Sequence, residues 1–238
     1  MGLARATGFV LKTQDYRETS RIITLFSVEF GKIALLAKGA RRMESKFGAA
    51  LDLLNHLEVV FYESKGLKLL KEAHLIRAFT KLKQDYERLD AGMRAAHGLL
   101  FSLRDGQRDR RIFRLFEELL TELEDSEADP ALLLMGFKLK LVDLLGFGPE
   151  LERCAVCRES LRGVRAIWLA PRAGGLVCER CRQEEDILLD RRLARSWRLI
   201  LRLPLGKLTR LALARELVKE GEEALERFLA YHLRPRSL

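Results

Sequence analysis

No stretch of this 238-residue sequence approaches the ~18 consecutive apolar residues that a membrane-crossing helix requires. The opening "MGLARATGFV" also lacks the apolar core of a secretory signal. A cytoplasmic chain is therefore expected, one that works where thiols are kept reduced. Histidine is scarce, with His56, His74, His97 and His232 scattered along the chain. Each reads more readily as a packing or surface residue than as a catalyst. Neither HExxH, nor GxxxxGK[ST], nor GxSxG occurs, and there is no carboxylate cluster of the metal-nuclease kind. A reaction cannot be named from these residues, so the expectation is a protein that is not an enzyme. Internal repeats and low-complexity segments are missing too.

Cysteine is rare but concentrated. All 4 cysteines fall in "CAVCRESLRGVRAIWLAPRAGGLVCERC", as Cys154–Cys157 and Cys178–Cys181 with twenty residues between the inner two. Two CxxC knuckles at a separation near ~15–20 residues can aim four thiolates at one tetrahedral centre, the pattern of a zinc ribbon. Gly174 and Gly175 before the second knuckle supply the backbone freedom for a tight hairpin. Four cysteines close the tetrahedron and no histidine lies in the module, so one structural Zn²⁺ per chain is expected. A redox or disulfide pair and a catalytic zinc are the alternatives. The carboxylates of "EED", Glu184 to Asp186, are read as a solvated helix start beside the knuckle.

The sequence is 48% hydrophobic, enough for real cores, and carries a formal charge of +9 with a pI near 9.6. That charge is uneven. Residues 1–80 hold 13 basic against 8 acidic side chains, residues 81–150 hold 11 against 14, and residues 191–238 hold 12 against 5. Two basic ends around a neutral or acidic centre suit a polyanionic partner; solubilisation by excess arginine is the plainer alternative.

Periodicity divides the chain near residue 80. "ATGFVLKT", "RIITLFSVEF", "KIALLAK", "HLEVVFYES" and "LKLLKEAHLIRAF" are short, rich in Val, Ile, Leu and Phe, and separated by "FGK" and "SKG" turns. Five strands with "FGAALDLL" as a short helical insertion after the third predict an OB-type β-barrel over residues 1–80. Thereafter Ile112, Leu115, Phe116, Leu119 and Leu120 mark one helical face, and "PALLLMGFKLKLVDLLGFG" predicts a buried helix that starts at Pro130 and stops at Gly146. The expected fold is thus α+β and multi-domain: an N-terminal five-stranded OB-type barrel, then an α-helical domain over residues 81–238 with a four-cysteine zinc ribbon inserted at about 150–185.

The loop after the third strand, "AKGARRMESKFG", sets Lys38, Arg41, Arg42 and Lys46 within nine residues. Such a loop beside a barrel face can track a sugar-phosphate backbone, or it can be an ordinary solvated loop. Phe47, Tyr16 or Tyr62 could offer a ring for a base, although each reads more readily as core.

The run "DYRETSRIITLFSVEFGKIALLAKGARRMESKFGAALDLL", Asp15 to Leu54, resembles the signature of the RecO family of bacterial recombination mediators. "LKLLKEA", a long helical middle, "CAVC" and "GGLVCERC" follow in the order of that family. The resemblance covers most of the chain and is weakest after residue 185. It implies a protein without nucleotide hydrolysis that binds single- and double-stranded DNA, anneals complementary strands and works with RecR to load RecA, indirectly, on strands coated with single-strand-binding protein. It implies a cytoplasmic, nucleoid-associated location and a DNA-binding edge at Arg21, Lys38, Arg41, Arg42 and Lys46. It further implies docking of the acidic C-terminal tail of single-strand-binding protein on the helical part, for which Arg191, Arg192, Arg195 and Arg198 are candidates; the alternative is a solvated helix face. Two other functions remain open on the residues themselves, a zinc-ribbon RNA or transcription factor and a protein-binding scaffold.

Overall fold

A computed structural model describes residues 2–211 and 213–233. Arg234 and Arg236, counted above in the basic C-terminal stretch, lie outside the described residues. The chain packs as two compact units, residues 1–124 and 125–238.

The first unit begins with five strands, β1 (Leu3–Tyr16), β2 (Ser20–Ser27), β3 (Gly31–Ala37), β4 (His56–Tyr62) and β5 (Lys68–Arg77), closed into a barrel in the order β1-β2-β3-β5-β4. All neighbours are antiparallel except β3 and β5, which pair in parallel over Leu35–Lys68 and Leu36–Leu69. Alternation along β2 and β3 sends Ile23, Leu25, Ile33 and Leu35 inward, where they meet Val10, Leu57, Val59 and Phe61. The expected helical insertion is a single 3-10 turn, Gly48–Leu51, whose Leu51 joins the barrel core together with Phe47. At the "FGK" turn Gly31 has φ +66, and a Cβ there would meet the Gln107 carbonyl oxygen at 2.1 Å, so only glycine fits.

Helices α1 (Thr80–Gln84), α2 (Tyr86–Ser102) and α3 (Arg110–Asp125) follow the barrel. The unit runs on well past residue 80 because β1 buries both of its faces. Gly8, Phe9, Val10 and Leu11 are all buried in succession. Phe9 packs on Phe113 at 5.0 Å and on Phe116 at 5.4 Å between ring centroids, and Phe26 lies 5.7 Å from Phe113. The face of α3 predicted from Ile112, Leu115, Phe116, Leu119 and Leu120 is buried throughout.

The second unit is built on α4 (Pro130–Leu144), with Pro130 in its first turn and the Asp129 carboxylate accepting from the Ala131 amide at 2.8 Å. This helix is buried almost all round. Its one buried ammonium, Lys138, donates to Glu222 at 2.7 Å and Glu226 at 2.8 Å, as a charge taken from water must. After α4 come the cysteine module with a three-stranded sheet, β6 (Ile167–Ala170), β7 (Gly175–Cys178) and β8 (Ile187–Leu189), in the order β7-β6-β8, and then α5 (Arg191–Arg202) and α6 (Arg215–Leu233). Asp190 caps α5. Leu193, Ala194, Trp197 and Ile200 face its core side. None of the helices among the described residues is long and apolar enough to cross a membrane.

Candidate nucleic-acid interface and metal centre

The long loop between β3 and β4 folds back over the β1–β2 hairpin. The Arg41 amide donates to the Thr19 carbonyl at 3.0 Å. Its guanidinium reaches the carbonyls of Arg17 and Glu18 at 3.4 and 3.3 Å and stands 3.4 Å from Asp15 Oδ2. Asp15 Oδ1 takes Arg21 Nε at 3.4 Å. Arg41 therefore acts as a strap, and Asp15 bridges it to Arg21.

The loop and the hairpin that the strap joins enclose a cleft of ≈630 Å³ lined by Tyr16, Arg17, Ser20, Leu36, Lys38 and Arg42, with Glu18, Thr19 and Gly39 completing it. The side chains of Lys38 and Arg42 enter no ion pair among the described residues, so their charge faces solvent. Arg17 sits 5.3 Å from the Tyr16 ring centroid, a cation held over a π face. Arg17 is a cleft residue that sequence reasoning missed; the only signal was its place in the turn "YRET", where it takes φ +53.

Of the five basic residues singled out from the sequence, Lys38 and Arg42 thus come together and Arg41 supports them from behind. Arg21 lies on the side of its strand that carries Ile23 and Leu25, at the mouth of the barrel. Lys46 points elsewhere, with its ammonium on the Lys71 carbonyl and 5.1 Å from the Phe47 ring. Phe47 is 3% exposed in the barrel core and offers no platform. Tyr62 is half-buried at the end of β4, and Tyr16 alone of the three rings lines the cleft.

In the second unit the four cysteine sulfurs lie within 4.8 Å of one another, and Cys157 Sγ is 3.8 Å from Cys178 Sγ. A tetrahedron of sulfurs ~2.3 Å from a zinc ion has edges of about 3.8 Å, so the donor set fits the metal its spacing implied. The Cys178 amide points at Cys154 Sγ at 3.5 Å. Burial pushes the Cys154 thiol up, but the amides of Cys157, Cys178 and Val156 outweigh it and bring it down to about 6. Burial and the three neighbouring sulfurs push Cys181 up to about 12. Crowded thiols resist being ionised together, and a dication at their centre would let all four be thiolates.

Local hydrogen bonds hold the knuckles. The Cys154 amide donates to the Glu159 carbonyl at 2.8 Å, and the Arg180 guanidinium pairs with the Glu159 carboxylate across the two knuckles. Gly174 has φ +73, and a Cβ on Gly175 would meet the Glu150 carbonyl oxygen at 2.5 Å, so the two glycines serve different needs. In "EED" Glu184 and Glu185 are exposed as expected, but the run is a turn before β8 and no helix start. Asp186 is buried and accepts from the Gln183 amide at 2.8 Å and from Arg172 at 3.1 Å. Arg172 also donates to the Cys181 carbonyl at 3.2 Å, which ties the second knuckle to the turn after β6.

Arg191, Arg192, Arg195 and Arg198 line a second cleft, of ≈450 Å³, whose floor is Leu161, Ile167 and Ala194 and whose far wall includes Arg162. It lies between α5 and a loop of the cysteine module rather than between two helices. Its arginines are unequal: Arg192 is held by Asp190 at 2.8 Å, and Arg198 donates to the Leu151 carbonyl at 2.9 Å.

A family model described as "Recombination protein O N terminal" matches residues 1–79, and one described as "Recombination protein O C terminal" matches residues 83–238. A protein named DNA repair protein RecO from Moorella thermoacetica is 32% identical over 98% of this chain and 87% of its own length. Proteins of the same name from Rubrobacter xylanophilus and Rhodopirellula baltica are 35% and 36% identical over 77% and 76% of the chain, which spans 73% and 67% of their lengths. The two family models cover the barrel, the helices and the cysteine module alike, and the chain belongs to the Recombination protein O (RecO) family.

Proposed function

We propose that this chain is a recombination mediator that binds single- and double-stranded DNA through residues 1–80, promotes annealing of complementary strands without nucleotide hydrolysis, and works with RecR and single-strand-binding protein in loading RecA. The observation that carries the reading is the cleft in which Lys38 and Arg42 present unspent charge beside the Arg17–Tyr16 pair. Guanidinium and ammonium groups placed this way meet phosphates and leave base edges unread, so binding is sequence-tolerant. Screening of two phosphate backbones on one basic surface lowers their mutual repulsion and raises local strand concentration. No turnover is needed.

The cysteine cluster holds one zinc ion, which supplies structural cross-linking of the two knuckles and leaves no position for substrate. The arginine cleft of the second unit suits a short acidic peptide that ends in apolar residues, with Leu161, Ile167 and Ala194 below and Arg191 and Arg195 at the rim. That is the chemistry of the tail of single-strand-binding protein.

The deciding experiment is strand annealing without ATP over a salt series, run on the parent and on Lys38→Glu/Arg42→Glu. The parent accelerates annealing. The double variant stays folded, binds more weakly on every sequence, and lowers the slope of log K against log salt by about 1.4 on single strands, ~0.7 for each phosphate no longer neutralised. Equal binding by a folded double variant refutes the cleft, and annealing that depends on ATP hydrolysis refutes the function.

A further inference from the structure

The barrel carries a second groove on the same outer face, which the basic loop does not touch. Lys12, Thr24 and Ala34 are cross-strand neighbours on β1, β2 and β3, and their side chains lie opposite the core-facing Ile23, Leu25, Ile33 and Leu35. They line a cleft of ≈690 Å³ whose wall is α2, through Met93, His97 and Phe101. Two rungs along the same face, Tyr16, Ser20 and Lys38 line the cleft of the strap, and Gln14, Ile22 and Leu36 form the rung between. The four residue steps from Lys12 to Tyr16 cover ~14 Å at about 3.4 Å per step, and a stacked strand covers that in about four nucleotide steps at ~3.4 Å each.

The groove has an unusual wall for a water-facing surface. Phe101 is 73% exposed, and its ring lies 4.5 Å from the His97 ring, tilted by 60°. Met93 is exposed beside them. The floor of Thr24 and Ala34 is small, which leaves depth for a flat heterocycle. Lys32 is already spent, on the Leu100 carbonyl at 2.8 Å and Asp105 at 3.4 Å, so the acid on the rim is neutralised. Lys12 is exposed at the opening and enters no ion pair among the described residues.

We infer that Phe101, its ring backed by the tilted ring of His97, forms a stacking platform for one unpaired base of a DNA strand whose phosphates lie on Lys12 at one end and on Lys38 and Arg42 at the other. The inference rests on the reading that this face binds DNA, and it adds a site for bases to a site for phosphates. A paired base cannot enter the groove without leaving its stack. Phosphate contacts serve both strand types, and the platform serves single strands alone, so it sets the preference between them.

The test measures the affinity of the full chain for an oligothymidylate of about a dozen nucleotides and for a duplex of equal length. Phe101→Ala weakens single-strand binding by about 5- to 150-fold, the range that removal of a stacking ring commonly gives, and changes duplex binding less than twofold. Phe101→Trp keeps single-strand affinity, and its indole fluorescence is quenched when the strand binds. Lys38→Glu/Arg42→Glu weakens both. A parent that binds both DNAs while Phe101→Ala leaves the single-strand affinity unchanged overturns the platform and spares the proposed function. A parent that binds neither removes both.

Discussion

The cysteine module and the basic loop of the barrel were the two regions richest in chemistry, and they kept their promise differently. All four cysteines converge, with sulfurs within 4.8 Å of one another. The five basic residues divide: two face a cleft, one straps the hairpin, one pairs with an acid at the barrel mouth, and one caps a carbonyl on β5. A CxxC knuckle is a local object whose turn aims both sulfurs whatever lies around it. A charge has no such built-in direction, because its neighbours come from strands far apart in sequence, and they decide whether it is spent.

The largest expected effect breaks the module. Cys154→Ser should lower bound zinc from about one per chain to none, since structural sites of this type hold their metal with ~10 kcal/mol or more. Metal analysis of reduced protein and limited proteolysis between residues 150 and 185 check it. Proteolysis should cut the variant in that stretch while the barrel stays intact. A zinc-free parent with the same protection would break the comparison from the other side.

The next effect sharpens the loop. Arg42→Ala should leave the melting temperature unchanged and lower the salt slope of single-strand binding by ~0.7, the share of one phosphate. Arg41→Ala should do the reverse first: it gives up the carbonyl hydrogen bonds and the Asp15 ion pair, and with both partners more than a third exposed the stability cost is on the order of 1 kcal/mol after solvent screening. Its DNA binding falls because the loop that carries Lys38 and Arg42 is held less firmly to the β1–β2 hairpin. Equal thermal stability of the two variants would show that Arg41 is no strap.

Within the second cleft the same distinction separates two arginines on one helix. Arg195→Ala should weaken an acidic C-terminal peptide several-fold, about 1 kcal/mol, whereas Arg192→Ala should change it little, because that guanidinium already faces Asp190. Peptide titration of the full chain by fluorescence anisotropy compares them, and equal weakening would erase the distinction.

The smallest effect concerns pH. Burial, and then the charge of Arg77, hold the His56 imidazole below its ordinary value of 6.5. Its folded form is neutral and stacks on Phe9 at 4.3 Å. The unfolded chain therefore binds the proton more readily, so the contribution of His56 is present above pH 6.5 and is lost as the pH falls toward the depressed folded value. His56→Phe should flatten the fall in stability on the acid side of pH 6.5 and leave the alkaline side unaltered. Urea titrations at several pH values measure it, and parallel acid limbs for parent and variant would exclude His56 as the cause.

Much of this was legible in the residues. The alternation of Ile23 and Leu25 announced a strand with one core face, the repeat from Ile112 to Leu120 announced a helix, and Pro130 and Gly146 bounded α4 closely. What failed was anything that depended on who covers whom. Phe47 read more readily as core than as a ring for a base, and the loop does turn it into the barrel, but nothing local in the residues after Arg42 decided between the two. Asp186 looked solvated because it ends an acidic run, yet Arg172, four residues after Trp168 of β6, reaches it. Phe9 gave no hint that both faces of β1 are buried, the outer one under Phe113 and Phe116 of α3.

The order of strands, the helical second half and the convergence of Cys154, Cys157, Cys178 and Cys181 were determined by the sequence itself, because hydrophobic period, turn residues and knuckle spacing act over a few residues and survive any context. Tertiary structure decided which charges remain available. Arg41 and Arg42 are adjacent and chemically identical, yet one is consumed by the carbonyls of a hairpin twenty-odd residues earlier and the other faces solvent. It also set Phe101 and His97 of α2 against the outer face of β1–β3, a meeting of residues some seventy positions apart. No local pattern encodes such a meeting, since electrostatic and ring contacts depend on distance in space and only the packed chain supplies that distance.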